Sequence, residues 1–151
     1  MRVVSHFVDR QDLELDLDSM KLAVHVHKCK NVTLKIKGKF NQITLDSCER
    51  TNIVFEDLIA GFDCIRSEKI EALCSGAFPL LNIDQTKGFK MVFTKKADDY
   101  CIVNSVCSSA VWMHTPNDDD EFDESPLPEQ YESKWVSQNN WTHKGAASHD
   151  A

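Results

Sequence analysis

Residues 29–48 read Cys-Lys-Asn-Val-Thr-Leu-Lys-Ile-Lys-Gly-Lys-Phe-Asn-Gln-Ile-Thr-Leu-Asp-Ser-Cys, two short alternating runs separated by one glycine. In the first run Val32, Leu34 and Ile36 fall on one side and Thr33, Lys35 and Lys37 on the other, because side chains of an extended chain point alternately to its two faces. Gly38 interrupts the run. Beyond it Ile43 and Leu45 share the inner side, while Gln42, Thr44 and Asp46 share the outer one. Such alternation over four to eight residues is the pattern of a strand with one face buried. Taken alone, the outer polar rows are the ordinary solvated face of a sheet.

The same pattern recurs about every ten residues along the chain, with polar or glycine punctuation between runs. The clearest runs are Leu22 to Val26, Val32 to Ile36, Ile43 to Leu45, Ile53 to Phe55, Leu80 to Ile83, Phe89 to Phe93, Cys101 to Val103 and Val111 to Met113. No long stretch carries the period of a helix, so the chain reads as all-β. The runs group into coils of about twenty residues, beginning near Asn31, Asn52, Ile70, Phe89 and Ala110, which falls within the range of solenoid repeats. A single coil could not bury its apolar side; stacked coils pack inward side chains layer on layer and pair their backbones. Short strands with frequent turns also describe a β-sandwich, and periodicity leaves both architectures open.

A chain of 151 residues falls within the size of one domain. Neither end carries a signal-peptide run, and no stretch reaches the roughly 18 apolar residues of a membrane helix, so a cytoplasmic protein without a membrane partner is expected. The six cysteines (29, 48, 64, 74, 101 and 107) are scattered singly among strand-like runs, without a C-x-x-C pair. They are expected to be reduced, buried and apolar in behaviour. His25 and His27 could place two imidazoles on one strand face, but no second donor cluster accompanies them, so no metal or other cofactor is expected.

The net charge of −7 is unevenly spread. Residues 117–132 carry eight acids and no Lys or Arg, leaving 16 of the 24 acids against 17 bases elsewhere. Lys28, Lys30, Lys35, Lys37 and Lys39 form a local basic patch. That patch lacks interleaved aromatics and the whole chain is acidic, so nucleic acid is not an expected partner. After Thr115-Pro116 an acidic and proline-containing segment follows, too polar to build a core and expected to run over the body in extended form. Beyond it, Trp135 and Trp141 need cover, from an interface or from the chain's own last coil. The division expected is a body over 1–133, including the loop at 116–133, and a tail over 134–151.

The run from Cys29 to Cys48 closely resembles the signature of the C-terminal domain of cyclase-associated proteins. The likeness continues through "NIVFEDLIAGFDCIRSEKI", "FPLLNIDQTKGF" and "SPLPEQY", covering roughly residues 20 to 135 in order. The resemblance implies a right-handed parallel β-helix with a C-terminal strand-exchange tail. It further implies a homodimer, binding to monomeric actin with preference for the ADP form, support of nucleotide exchange, and a cytoskeleton-associated place in the cytoplasm. The family's actin-facing surface falls here on Lys35, Lys37, Lys39, Asn41, Gln42, Thr44 and Asp46, with Glu56 and Asp57 on the following coil. Trp135, Val136, Trp141 and Thr142 fall in the exchanged tail. Two departures stand out. Met1 opens only a short lead-in, so the helical and proline-rich regions of full-length members are expected to be missing. The tail "KWVSQNNWTHKGAASHDA" also turns small and polar where the family has β-rich strands.

Two rival functions use related folds. A tubulin cofactor C-like module would regulate a small GTPase through an arginine in a Gln-x-Arg-x-His context, since a fixed cation neutralises charge on the transferred phosphoryl group. Arg2, Arg10, Arg50 and Arg66 all lack those neighbours. A β-helix carbohydrate-active enzyme would need carboxylates converging in a cleft. Asp98-Asp99 and the run 118–120 are acids of the right type, but neighbours on a strand point to opposite faces. No catalytic residue is assigned.

Overall fold

A computed structural model describes residues 1–17, 19–95, 101–107, 111–116, 121–127, 131–137 and 140–145. Every regular element among them is a strand. The strands come in pairs, one pair to a coil: β1 (Arg2–Ser5) with β2 (Val8–Asp16), β3 (Ala23–His27) with β4 (Lys30–Lys37), and β5 (Lys39–Asp46) with β6 (Glu49–Phe55). Then come β7 (Asp57–Ile65) with β8 (Glu68–Cys74), β9 (Leu80–Asp84) with β10 (Lys87–Phe93), and β11 (Ile102–Val106) with β12 (Val111–Pro116). Odd strands stack in one sheet and even strands in the other, each pairing in parallel with the strand one coil away. The arrangement is a parallel β-helix, and it decides between the two architectures the periodicity left open: a sandwich would pair its neighbours antiparallel.

The inward alternation is the one read from residues 29–48. Val32, Leu34, Ile36, Ile43 and Leu45 are all buried. In the odd sheet Val24, Ile43, Phe62, Leu81 and Val103 stand opposite one another in turn; in the even sheet Leu34, Ile53, Ala72, Met91 and Met113 do the same. These two columns face each other across the core. Between them Phe55 lies 5.4 Å from Phe62 and 5.5 Å from Phe78, whose ring stacks on Phe93 at 5.8 Å, centroid to centroid. This aromatic cluster fills the interior of these coils, each ring burying more apolar area than an aliphatic side chain.

The coil step is 19 residues through the centre, as from Ile43 to Phe62 and on to Leu81, and lengthens to 22 between β9 and β11 and between β1 and β3. One corner of the coil is built by repetition. His6, Lys28, Ser47, Arg66 and Gln85 adopt left-handed backbone with φ between 47° and 61°, and three residues later Asp9, Asn31, Arg50 and Lys69 do so again. For residues with a Cβ this conformation is unfavourable. Cross-coil bonds hold it: Lys28 N donates to Asp46 O, Ser47 N to Ile65 O and Arg66 N to Asp84 O, at 3.0–3.1 Å. Between the two left-handed positions a small residue points inward, in turn Cys29, Cys48, Ser67 and Thr86.

Two features depart from the sequence reading. The lead-in is no appendage: β1 and β2 make a complete first coil, with Leu13, Glu14 and Leu15 opposite Leu34, Lys35 and Ile36. Within the segment read as a loop, β13 (Phe122–Leu127) pairs antiparallel with β12. Pro126 is tolerated there because β13 is the outermost strand of the even sheet, where a missing N–H breaks no further ladder. The tail, expected to be built of strands, forms β14 (Tyr131–Ser137) and β15 (Asn140–Gly145). β14 pairs antiparallel with β11 of its own chain and β15 with β14. Asp98, Asp99 and the run 118–120 lie outside the described residues.

Candidate functional site

The residues expected to form one binding surface divide between the two sheets. Lys35 and Lys37 project from β4 in the even sheet and are exposed, in register with Glu14 and Asp16 of the preceding coil. Gln42, Thr44 and Asp46 project from β5 in the odd sheet. Gly38 turns the chain from one to the other, at φ 101°, where a Cβ would be built into the carbonyl oxygen of Leu17. Lys39 is exposed just past that corner. Asn41 sits at a register shift of β5, its N–H donating to Leu22 O at 2.8 Å.

Glu56 and Asp57, the candidates on the following coil, hold backbone. Glu56 Oε2 accepts the Gly38 N–H at 2.8 Å, and Asp57 Oδ1 accepts the Ala77 N–H at 2.9 Å. Both carboxylates therefore pin corners of neighbouring coils. For the tail residues the register alone is described: Trp135 stands opposite Trp141 and Lys134 opposite Thr142, with Val136 between Trp135 and Ser137.

The outer face of the odd sheet carries a polar network that the sequence reading only began to trace. Thr44, Asp63, Asn82 and Asn104 stand opposite one another on β5, β7, β9 and β11. Asn104 Nδ2 donates to Asn82 Oδ1 at 3.0 Å, Asn82 Nδ2 donates to Asp63 Oδ1 at 2.8 Å, and Gln42 Nε2 donates to the other oxygen of Asp63. Arg66 binds both carboxylate oxygens of Asp46, and Ser47 donates to Asp46 Oδ1 at 3.0 Å. Burial pushes the Asp46 carboxyl up, but the hydrogen bonds from Arg66 and Ser47 and the Arg66 charge outweigh it and hold the group below the usual carboxylate range. His25 stands opposite Thr44 and His27 opposite Asp46 at the β3 side of the same face. Asp63, Asn82, Asn104 and Arg66 were missed by sequence reasoning; the signal was the coil step itself, which carries Thr44 to 63, 82 and 104.

Such an array is rigid, polar and hydrogen-bonded to itself, suited to docking against another surface. Its side chains are fixed before any encounter, which lowers the ordering cost of association. Among the described residues, burial pushes the Cys48 thiol up to about 11 and those of Cys64 and Cys74 up to about 12, and raises Cys101 as well. Thiols so protonated are poor nucleophiles at neutral pH. Among the described residues no three His, Cys, Asp or Glu side chains converge as metal donors. No helix among them is long and apolar enough to cross a membrane.

Fold and face together define a parallel β-helix with a self-bonded polar flank, capped at one end by antiparallel strands. The family described as "Adenylate cyclase associated (CAP) C terminal" matches residues 2–147, and the chain belongs to that family. Adenylyl cyclase-associated protein 1 of Mus musculus is 33% identical over 127 residues, 84% of this chain, and adenylyl cyclase-associated protein 2 of the same organism is 34% identical over 132 residues, 87% of this chain. The chain spans 27% of the length of each. In fold it is similar to the crystal structure of the cyclase-associated protein from Cryptosporidium parvum, with a TM-score of 0.77 and 18% identity over 95% of this chain and 88% of that one.

Proposed function

We propose that this chain binds monomeric actin, preferring the ADP form, and regulates actin turnover in the cytoplasm by sequestering monomers, by promoting nucleotide exchange, or by both. Family membership over residues 2–147 is the observation that carries the reading. The preformed network of Gln42, Asp63, Asn82 and Asn104 beside Asp46 supports it, because a fixed polar surface suits recognition of a folded partner. The contact surface runs from Lys35 and Lys37 over the Gly38 corner and Lys39 to Asn41, Gln42, Thr44 and Asp46. Lysines on the flank steer encounter, and the odd-sheet face fixes orientation. Exchange follows if the bound partner favours a conformation that holds its nucleotide loosely, a shift of population set by differential affinity.

The tail over 134–151 serves the homodimer: β14, which meets β11 through Tyr131 to Lys134, would pair with β11 of a second copy instead of its own, and Trp135, Val136, Trp141 and Thr142 of β14 and β15 would be carried across with it. Exchange of an identical element reuses pairing the monomer already has, so it needs no new interface chemistry.

Binding of fluorescently labelled ADP-actin, read by anisotropy against ATP-actin, tests the reading. A saturable interaction tighter for ADP-actin is expected; absence of binding to either form would exclude it. Light scattering before and after truncation at Lys134 tests the dimer, with loss of the doubled mass expected.

A further inference from the structure

The chain carries a cluster of three imidazoles at the β3 edge of the odd-sheet face. His25 and His27 point outward from one strand with ring centroids 5.8 Å apart, and His6, which follows β1, places its ring 6.0 Å from His27. His6 is exposed and the other two are half-buried. Imidazole is the side chain whose charge ordinarily changes between pH 5 and 8.

The surroundings decide what that change does. From β5, Thr44 stands opposite His25 and Asp46 opposite His27; from β1, Val3 and Ser5 stand opposite the same two. Arg2 shares the other side of its strand with the inward Val4. Lys28 follows His27 directly at the corner. One coil beyond, β7 presents Asp63 and Ile65, and Arg66 follows. The two carboxylates in reach are both occupied, Asp46 by Arg66 and Ser47, Asp63 by Gln42 and Asn82. Among these groups Arg66 and Asp46 offset each other, and Asp63, bonded only to neutral amides, keeps a charge opposite to that of Lys28, so each proton taken up by an imidazole shifts a balanced face toward positive.

Resting on the reading of this face as the actin-binding surface, we infer that His6, His25 and His27 are further contact residues that make engagement of an acidic partner surface pH-dependent, tighter as pH falls. Protonation near the contact raises complementarity to acidic groups of the partner and the rate of encounter.

The test is a titration of labelled ADP-actin at about pH 7.5 and about pH 6 with the wild-type chain, with H6Q/H25Q/H27Q, and with His27→Lys. The wild type should bind roughly fivefold tighter at the lower pH. The triple variant should lose that difference, and His27→Lys should bind as tightly at the higher pH as wild type does at the lower, a gain that a misfolded protein cannot give. A triple variant with the wild-type pH response would overturn the inference, as would wild-type affinity that does not move with pH; either leaves the actin reading standing. Wild-type protein that binds at neither pH removes that reading and this inference with it.

Discussion

Arg66 reaches back one coil to Asp46, its Nη2 lying 2.9 and 2.8 Å from the two carboxylate oxygens while Nε lies 3.2 Å from one of them. The pair ties β7 to β5 at the corner. Asp46 is held below the usual carboxylate range, so the stability it contributes is fully present above the ordinary carboxylate pKa and is lost as pH falls through the depressed one. Arg66 is more than half exposed, which limits the pair to about 0.5 kcal/mol. Urea unfolding of wild type and Arg66→Gln should differ by about that much at neutral pH, and the two curves should converge in acid. A gap that widened on acidification would contradict the sign.

Gly38→Ala should be among the most damaging single-methyl changes in the molecule. The residue has φ 101°, and the added Cβ points into Leu17 O, which belongs to the backbone and cannot swing away. A loss of about 2 kcal/mol or more is expected in urea unfolding. Stability equal to wild type would mean that the corner relaxes without consequence.

The core thiols should be silent in the native state. With Cys48 at about 11 and Cys64 and Cys74 at about 12, none is ionised at pH 8, and all are buried. A thiol reagent should label them only at the rate of unfolding, and all six cysteines at once in denaturant. Prompt labelling of any of these three in the folded protein would disprove the packing.

Dividing the candidate surface by sheet gives a test of its extent. Reversing Lys35 and Lys37 would set like charges against Glu14 and Asp16, which costs about 0.2–1 kcal/mol per facing pair and confuses binding with stability. Neutral K35A/K37A on the even sheet and Q42R/T44R on the odd sheet separate the two. Each double variant should weaken ADP-actin by roughly tenfold, with binding measured well below each variant's own unfolding midpoint, since loss of the Glu14 and Asp16 pairings or of the Gln42–Asp63 bond lowers stability as well. If only one does, the footprint stops at the Gly38 corner.

Residues 29–48 contained most of the fold. Alternation assigned Val32, Leu34, Ile36, Ile43 and Leu45 to the core correctly, because a period of two is a property of the extended backbone and needs no tertiary information. The coil length was legible to within a residue or two for the same reason. The first coil was not: β2 is rich in Asp, Arg and Glu, and as the outermost strand of its sheet it buries little, so its apolar signal is thin. β13 was hidden by acids and prolines, which an edge position tolerates.

What sequence alone determined is the set of inward side chains and their spacing, since local stereochemistry dictates both. What only the tertiary structure decided is company: that Lys35 and Thr44 lie on different sheets, that Arg66 closes on Asp46, and that His6 meets His27. Those relations depend on which residue stands opposite which one coil away, and register is set by the packing of the whole stack.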